Sequence, residues 1–281
     1  MSADDLVLSH FSLGRYVDFE QRVAAAAAGG YTGIGLWFGD YVRMRADGRS
    51  DADLRAVLDH HGLRVTEYEA LRGWAADGDV LATSREHEAT IFRMADVLGP
   101  GGSFQVLGPY PGSLEQAAEA LAALCDRAAE HGLSGAIEFL PEMTNIPDAR
   151  SAWELARMAD RPNAGLCVDS WHVFRGGQGV DLLSAVPADR IFSVQINDGP
   201  TPRVHADYYR DCTETRLPPG DGDFDLPAFV RTVDALGVTV PWSVEVLSTE
   251  LQARETPAEL AGHLARSTRD LLADVRTTSA S

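Results

Sequence analysis

Short apolar runs and amphipathic stretches alternate along the whole chain. Runs rich in β-branched and aromatic residues fall at 6–13 (LVLSHFSL), 33–38 (GIGLWF), 64–71 (RVTEYEAL), 103–107 (SFQVL), 134–140 (SGAIEFL), 164–169 (AGLCVD), 191–196 (IFSVQI) and 242–247 (WSVEVL), which gives eight predicted strands. Between them lie segments of helical period such as DFEQRVAAAAAGG, DADLRAVLDHHG, SLEQAAEALAALCDRAAEHG and LPAFVRTVDALG. Several of these open on Asp or Ser and close on Gly, the residues that cap helices. The alanine run at 24–28 keeps the helical period of its flanks and predicts a packed helix, since alanine is the strongest helix former.

Eight β-then-α units predict an α/β fold, a single (β/α)8 TIM barrel, more than an open doubly wound sheet, which usually has fewer strands. The barrel is expected over 1–272, with a disordered tail over 273–281. The long Pro- and Gly-rich segment from Gly199 to Asp225 carries Arg203, His205, Tyr208, Tyr209, Arg210 and Arg216. It would follow the seventh strand on the face where barrels keep their chemistry, and its length predicts a lid or binding loop.

The last four predicted strands each end by delivering one metal-capable side chain: Glu138 in AIEFLP, Asp169 in LCVDSWH, Gln195 in FSVQIND and Glu245 in WSVEVLS. A carboxylate at the end of an apolar strand costs several kcal/mol if buried unpaired, so each needs an arginine, another cation or a metal. A structural ion pair explains one such end as well as a metal does, but four together favour a metal. Two Glu, one Asp and one neutral oxygen donor suit one divalent ion, Mn²⁺ first, with Mg²⁺, Co²⁺ or Zn²⁺ as alternatives.

At 281 residues and 45% hydrophobic, the chain has the length of one barrel, for which roughly 250 residues are typical. Its 42 acidic against 24 basic residues give a formal charge of −18, which repels phosphate backbones and anionic lipid surfaces within about 8 to 10 Å, so no nucleic-acid or membrane partner is expected. Three distant cysteines, Cys125, Cys167 and Cys212, make neither a disulfide framework nor a Cys-x-x-Cys site, which fits a reducing cytoplasm. No basic n-region leads an apolar stretch, and no window reaches the about 18 apolar residues of a membrane span. The expected partners are a small carbohydrate-like molecule and, in a homo-oligomer, further copies of the chain.

Other residues allow two readings each. His172, just beyond Asp169, is read as a substrate contact or a support for the ligands more than as a ligand. Glu67 and Glu69 alternate with Thr66, Tyr68 and Ala70 and share one strand face, for a substrate hydroxyl or a structural ion pair. His10 and Trp37, on the first two strands, line the same pocket or pack in the core. Trp74 and Trp171 fall in loops of the catalytic face, where a ring can cover a sugar or simply pack. Glu142 is a base or a solvated charge, and His60, His61 and His87 read as solvent-exposed helix residues. The glycines of GGYTGIGLW follow a helix and precede a strand, the reverse of a dinucleotide fingerprint, and no P-loop, His-Glu-x-x-His or Gly-x-Ser-x-Gly occurs.

Five segments, IEFLP, VDSWH, VQIND, RLPPGDGDFDLPAF and VEVLS, resemble the xylose isomerase-like barrel superfamily in order and spacing, and the resemblance covers nearly the whole chain. That group includes sugar phosphate isomerase/epimerases, ketose 3-epimerases, inosose dehydratase, 3-dehydroshikimate dehydratase and endonuclease IV. The resemblance implies that Glu138, Asp169, Gln195 and Glu245 hold one divalent ion, that Glu138 and Glu245 exchange protons with substrate, and that His172 touches it. Arg216, before the Pro218–Gly222 turn, stands nearest to the family's substrate-binding arginine, with Arg203 second. Gln195 replaces the histidine usual in the epimerases and resembles the dehydratases, whereas Leu140 stands where those dehydratases carry a histidine base. Endonuclease IV needs a three-zinc, histidine-rich cluster and a basic face that this chain lacks.

The activity implied is a metal-dependent isomerisation or epimerisation of a small keto sugar or polyol through α-proton abstraction and a metal-stabilised enediolate. A dehydratase or lyase of the 3-dehydroshikimate or inosose dehydratase type is the alternative. A catalytically silent ligand-binding barrel is the third reading.

Overall fold

A computed structural model of the chain describes residues 5–99 and 101–279. Each predicted run supplies a strand: β1 Leu6–Leu8, β2 Gly33–Trp37, β3 Arg64–Arg72, β4 Ser103–Leu107, β5 Ser134–Glu138, β6 Ala164–Asp169, β7 Ile191–Ile196 and β8 Trp242–Val244. All pair in parallel with their neighbours, and β8 closes onto β1. The outward side chains of these strands pack on the surrounding helices. Phe104 of β4, for example, is fully buried with its ring 6.1 Å from that of Phe92 in helix Gly78–Leu98. Burying a side chain of that size contributes roughly 1.5–3 kcal/mol.

Helix limits follow the caps that the sequence carries. Helix Asp51–His61 starts in a capping box between Ser50 and Asp53 and ends on Gly62, whose φ of 67° is the left-handed conformation that glycine adopts freely. Helix Leu114–Ala129 opens with the equivalent box of Ser113 and Gln116. The alanine run lies inside helix Phe19–Ala28, with Ala25 and Ala26 buried.

Three predicted strands stop two or more residues short because their last residues find partners outside the ladder, and β2 ends one residue early, at Trp37. β1 ends at Leu8, and His10–Leu13 form a single 3-10 turn in which Ser12 Oγ donates to the Val244 carbonyl at 2.8 Å and accepts from Val246 N–H at 3.0 Å. β5 ends at Glu138 rather than at Leu140, and β8 at Val244 rather than at Leu247.

The expectation of a disordered tail over 273–281 is corrected in its first seven residues. The last helix spans Pro257–Ser279, and Leu272 and Val275 are buried, so apolar spacing carries the helix through the polar composition. Residues 280 and 281 lie outside the described residues. The segment 199–225 also holds more structure than a loop: helix Tyr208–Glu214, and a bridge from Asp198 to Leu217. Asp198 anchors it by accepting from the N–H groups of Gly199, Gly220 and Phe224. Gly222 is required beside it, because a Cβ there would lie 2.3 Å from Asp198 Oδ1. The three cysteines are free and buried, and among the described residues no helix is long and apolar enough to cross a membrane.

Candidate metal centre and its cavity

The carboxyl ends of the strands open onto a cavity of about 470 Å³, lined among others by Glu69, Gln105, Glu138, His172, Arg216 and Glu245. Glu138 is the last residue of β5 and Asp169 the last of β6, so strand geometry alone turns both into the mouth. Asp169 also caps helix Ser170–Arg175, its Oδ1 accepting from Trp171 N–H at 2.8 Å and from Asn197 Nδ2 at 2.7 Å. That helix turn returns His172 over the two carboxylates, with Nε2 3.0 Å from Glu138 Oε1 and 3.5 Å from Asp169 Oδ2. One donor atom from each of Glu138, Asp169 and His172 falls within 4.8 Å of the others, close enough to share an ion. Tyr208 OH meets His172 Nδ1 and fixes the ring from behind.

Glu245 comes one residue after β8. Its Oε1 accepts from Ser9 Oγ at 3.0 Å and from Gln195 Nε2 at 3.1 Å, and its Oε2 from Arg216 Nη1 at 3.1 Å. The same Nη1 donates to Asp169 Oδ2 at 2.8 Å. The structure therefore joins Glu138, Asp169 and His172 directly, and couples Glu245 and Gln195 to them through Arg216. Gln195 Oε1 meets Cys167 Sγ at 3.4 Å.

Electrostatics reflect this crowding. Burial pushes the Glu245 carboxyl well above its usual range; Arg216 offsets part of that, and the neighbouring acids Glu69, Asp169 and Glu138 add to it. Burial would also raise Asp169, but Arg216, His172, Asn197 and the Trp171 N–H together hold it below the usual carboxylate range. Burial and the charge of Glu67 push Glu69 up to about 8. Four buried acids, Glu69, Glu138, Asp169 and Glu245, of which the last two share Arg216, form a donor set that a divalent cation fits by both charge and oxygen chemistry.

Of the expected substrate contacts, Arg216 and Glu69 line the cavity, and Glu69 accepts from Ser9 Oγ and His10 N–H at 3.1 and 3.2 Å. Four others do not, each for a local reason. Glu67, deeper on β3, is held beneath the mouth by the hydroxyls of Ser193 and Ser243 instead of by a cation. His10 is drawn into the 3-10 turn, its Nε2 facing the Arg15 carbonyl at 3.2 Å, and burial beside Arg22 lowers its pKa well below the usual value. Trp171 is fully buried, with its ring 5.6 Å from that of Phe224 and with Arg175 and Arg216 over its faces. Arg203 pairs with Glu142 at 3.0 Å and stacks over Tyr208. Trp74 packs in the core, and Trp37 stacks beneath Arg15, whose Cζ is 4.3 Å from the ring centre. His60 is exposed, while His61 and His87 are half-buried.

Sequence reasoning placed Tyr208 only in a lid or binding loop, not behind His172, and missed Asn197, which orients Asp169, as well as Arg15, Arg72 and Gln105 on the cavity wall. Gln105 carried a weaker signal: it is a long polar side chain inside the run SFQVL, whereas Gln195 stands at the end of its run.

The chain belongs to the xylose isomerase-like TIM barrel family, whose model matches residues 23–271. Within that class, a 3-dehydroshikimate dehydratase of Pseudomonas aeruginosa is 28% identical over 85% of this chain, which spans only 37% of that protein. An inosose isomerase of Bacillus licheniformis is 33% identical over 49% of this chain and 50% of its own length. Among solved structures, the IolI protein with a bound zinc atom superposes with a TM-score of 0.85 at 20% identity, covering 96% of this chain and 99% of the other, which shows the shared fold.

Proposed function

We propose that this protein is a divalent-metal-dependent enzyme that removes a proton from the carbon beside the carbonyl of a small keto sugar or polyol-derived ketone, and returns it as an isomerisation or epimerisation. The observation that carries the reading is the convergence of Glu138, Asp169 and His172 within 4.8 Å, in a cavity that Glu245 also lines. Glu138, Asp169, Gln195 and Glu245 would hold the ion, with Mn²⁺ the first choice for this oxygen set. Bound there, the ion would supply a Lewis acid for the carbonyl and a neighbouring hydroxyl oxygen. The chain contains no lysine, all 24 of its basic residues being arginine, so activation through a lysine imine is not open to it.

The remaining work falls to the chain's own side chains. The carboxylates of Glu138 and Glu245 are the groups that take and return the proton. His172 Nε2, within hydrogen-bond reach of Glu138 Oε1, steers that carboxylate and contacts the substrate, and Tyr208 OH keeps the ring in place through Nδ1. Arg216 Nη1 balances negative charge between Asp169 and Glu245. Apolar Phe11, Leu107, Leu140 and Leu247 line the cavity and limit water beside the reacting carbon.

Loss of a β-hydroxyl from the same deprotonated substrate is the second reading, supported by the similarity to 3-dehydroshikimate dehydratase along 85% of the chain. Incubation in D₂O with keto sugars, inososes and 3-dehydroshikimate, read by proton NMR, tests both. Ion-dependent deuterium incorporation beside the carbonyl supports the common step, and water loss from 3-dehydroshikimate favours the lyase. No exchange with any of them overturns both and leaves a silent ligand-binding barrel.

A further inference from the structure

Two short helices face each other behind the acidic centre. Helix Ser170–Arg175 carries His172 and Arg175 three positions apart, and helix Tyr208–Glu214 carries Tyr208 and Asp211 at the same spacing, so each pair shares one helix face. The faces meet in two rungs, Tyr208 OH against His172 Nδ1 and Asp211 Oδ2 against Arg175 Nε at 3.1 Å. Tyr208, His172 and Asp211 are buried, and only 5% of the Arg175 side chain is exposed. The connecting chain reinforces the second rung. Asp211 Oδ1 accepts from the N–H groups of Val204 and His205 at 2.8 and 3.0 Å, and Arg175 Nη1 donates to the Pro200 carbonyl at 2.8 Å. Arg203, paired with Glu142, covers Tyr208 with its Cζ 5.0 Å from the ring centre. The strap from Pro200 to Asp211 is thus held along its length, and Tyr208 is the side chain it sets against the centre.

The hydrogens of the first rung follow from its partners. His172 Nε2 faces carboxylate oxygens, Glu138 Oε1 at 3.0 Å and Asp169 Oδ2 at 3.5 Å. Carboxylates accept and do not donate, so Nε2 carries a hydrogen. Tyr208 OH has no other hydrogen-bond partner among the described residues, and burial pushes its phenol above the usual range, so it keeps its proton. Were the hydroxyl to accept from Nδ1, that proton would be buried without a partner; donating it to Nδ1 satisfies both groups. We infer that Tyr208 is a positioning residue whose hydroxyl donates to His172 Nδ1 and holds the ring neutral as the Nε2–H tautomer, with the strap serving to deliver it. Its place in the reaction rests on the reading of this cavity as a catalytic site. A bare Nδ1 behind and an N–H in front make His172 a donor to Glu138 and to a substrate oxygen. The same hydrogen keeps Nε2 from ligating the ion, which needs a bare nitrogen.

Proton–nitrogen correlation spectra of the full chain labelled with ¹⁵N-histidine read the ring hydrogens directly, at about pH 8, where free imidazole is neutral, and with Mg²⁺ in place of a paramagnetic ion. The signals lost in His172→Gln assign the ring. His172 is expected to show a hydrogen on Nε2 and a bare Nδ1, and Tyr208→Phe, which keeps the ring beneath Arg203, should turn that pattern into a mixture of both tautomers. On a substrate found by deuterium exchange, Tyr208→Phe should lower kcat roughly 10- to 100-fold with KM little changed, the usual weight of a group that orients an active side chain. In a His172→Gln background it should cost nothing further. A hydrogen on Nδ1 in the wild type, alone or as imidazolium, or a pattern that Tyr208→Phe leaves unchanged, overturns the inference and leaves the proposed reaction standing. An equal loss of kcat in both backgrounds gives Tyr208 a structural role only and overturns it as well. The expected ring signals without exchange on any substrate sustain the tautomer and overturn the reading of the reaction.

Discussion

From β5 to β8, Glu138, Asp169, Gln195 and Glu245 are buried and tied to His172, Arg216, Asn197 and Ser9. From β1 to β4 the mouth presents Arg15 and Arg72, exposed and unpaired, and Gln105, buried and unpaired. The first half is preorganised around concentrated negative charge; the second presents two exposed cations and one buried amide that has no protein partner among the described residues. Catalytic sites need both properties, a rigid centre where charge develops and a complementary wall that orients the substrate toward it. Here the barrel assigns them to opposite halves.

The largest effects should come from the acidic half. Glu138→Gln or Glu245→Gln is expected to lower turnover by about 10²- to 10⁴-fold with the fold intact by circular dichroism, the usual weight of a proton-transfer group; near-normal activity in either removes that half from the chemistry. Arg216→Gln leaves Asp169 and Glu245 buried without their shared cation, and the metal-free protein should lose on the order of 3–5 kcal/mol by urea denaturation. Added Mn²⁺ should recover much of that loss, and no recovery would separate the arginine's place from the ion's.

Gln195→His should leave ion binding in place, since imidazole is also a competent donor, whereas lost binding would give the amide's bond to Glu245 a task of its own. A pH-dependent effect concerns Glu69. Its folded-state pKa, raised to about 8, means that the folded chain holds a proton the unfolded chain has released, so stability falls as pH rises from the ordinary carboxyl range toward 8. Glu69→Gln should remove that slope, and thermal melts of variant and wild type should diverge most near pH 8. Parallel pH profiles would contradict the buried proton.

The acidic half was legible because each of its members ends an apolar run, so a period of two and one polar terminus place it at the mouth. Arg15 sits in a turn and Arg72 at a strand end among other exposed residues, where charge is ordinary and sequence gives no direction. His10 was misplaced because a serine-rich 3-10 turn, Ser9 to Leu13, continues the apolar pattern of β1 while bending the chain. Trp171 was misread because a residue just past a strand can fold back under the mouth as readily as over it. Helix Tyr208–Glu214 was hidden by the prolines and glycines that flank it, although Asp207 caps it through the Arg210 N–H. The final helix is legible only as far as Leu272, because beyond it the composition turns polar and Val275 alone marks the packed face.

The most direct test is titration of chelator-stripped protein with Mn²⁺, followed calorimetrically in wild type, Glu138→Gln, Asp169→Asn and Arg72→Gln. The account predicts one ion per chain in wild type, lost in both acidic-half variants and unchanged in Arg72→Gln. No binding in wild type, or binding that survives both acidic-half substitutions, would contradict it.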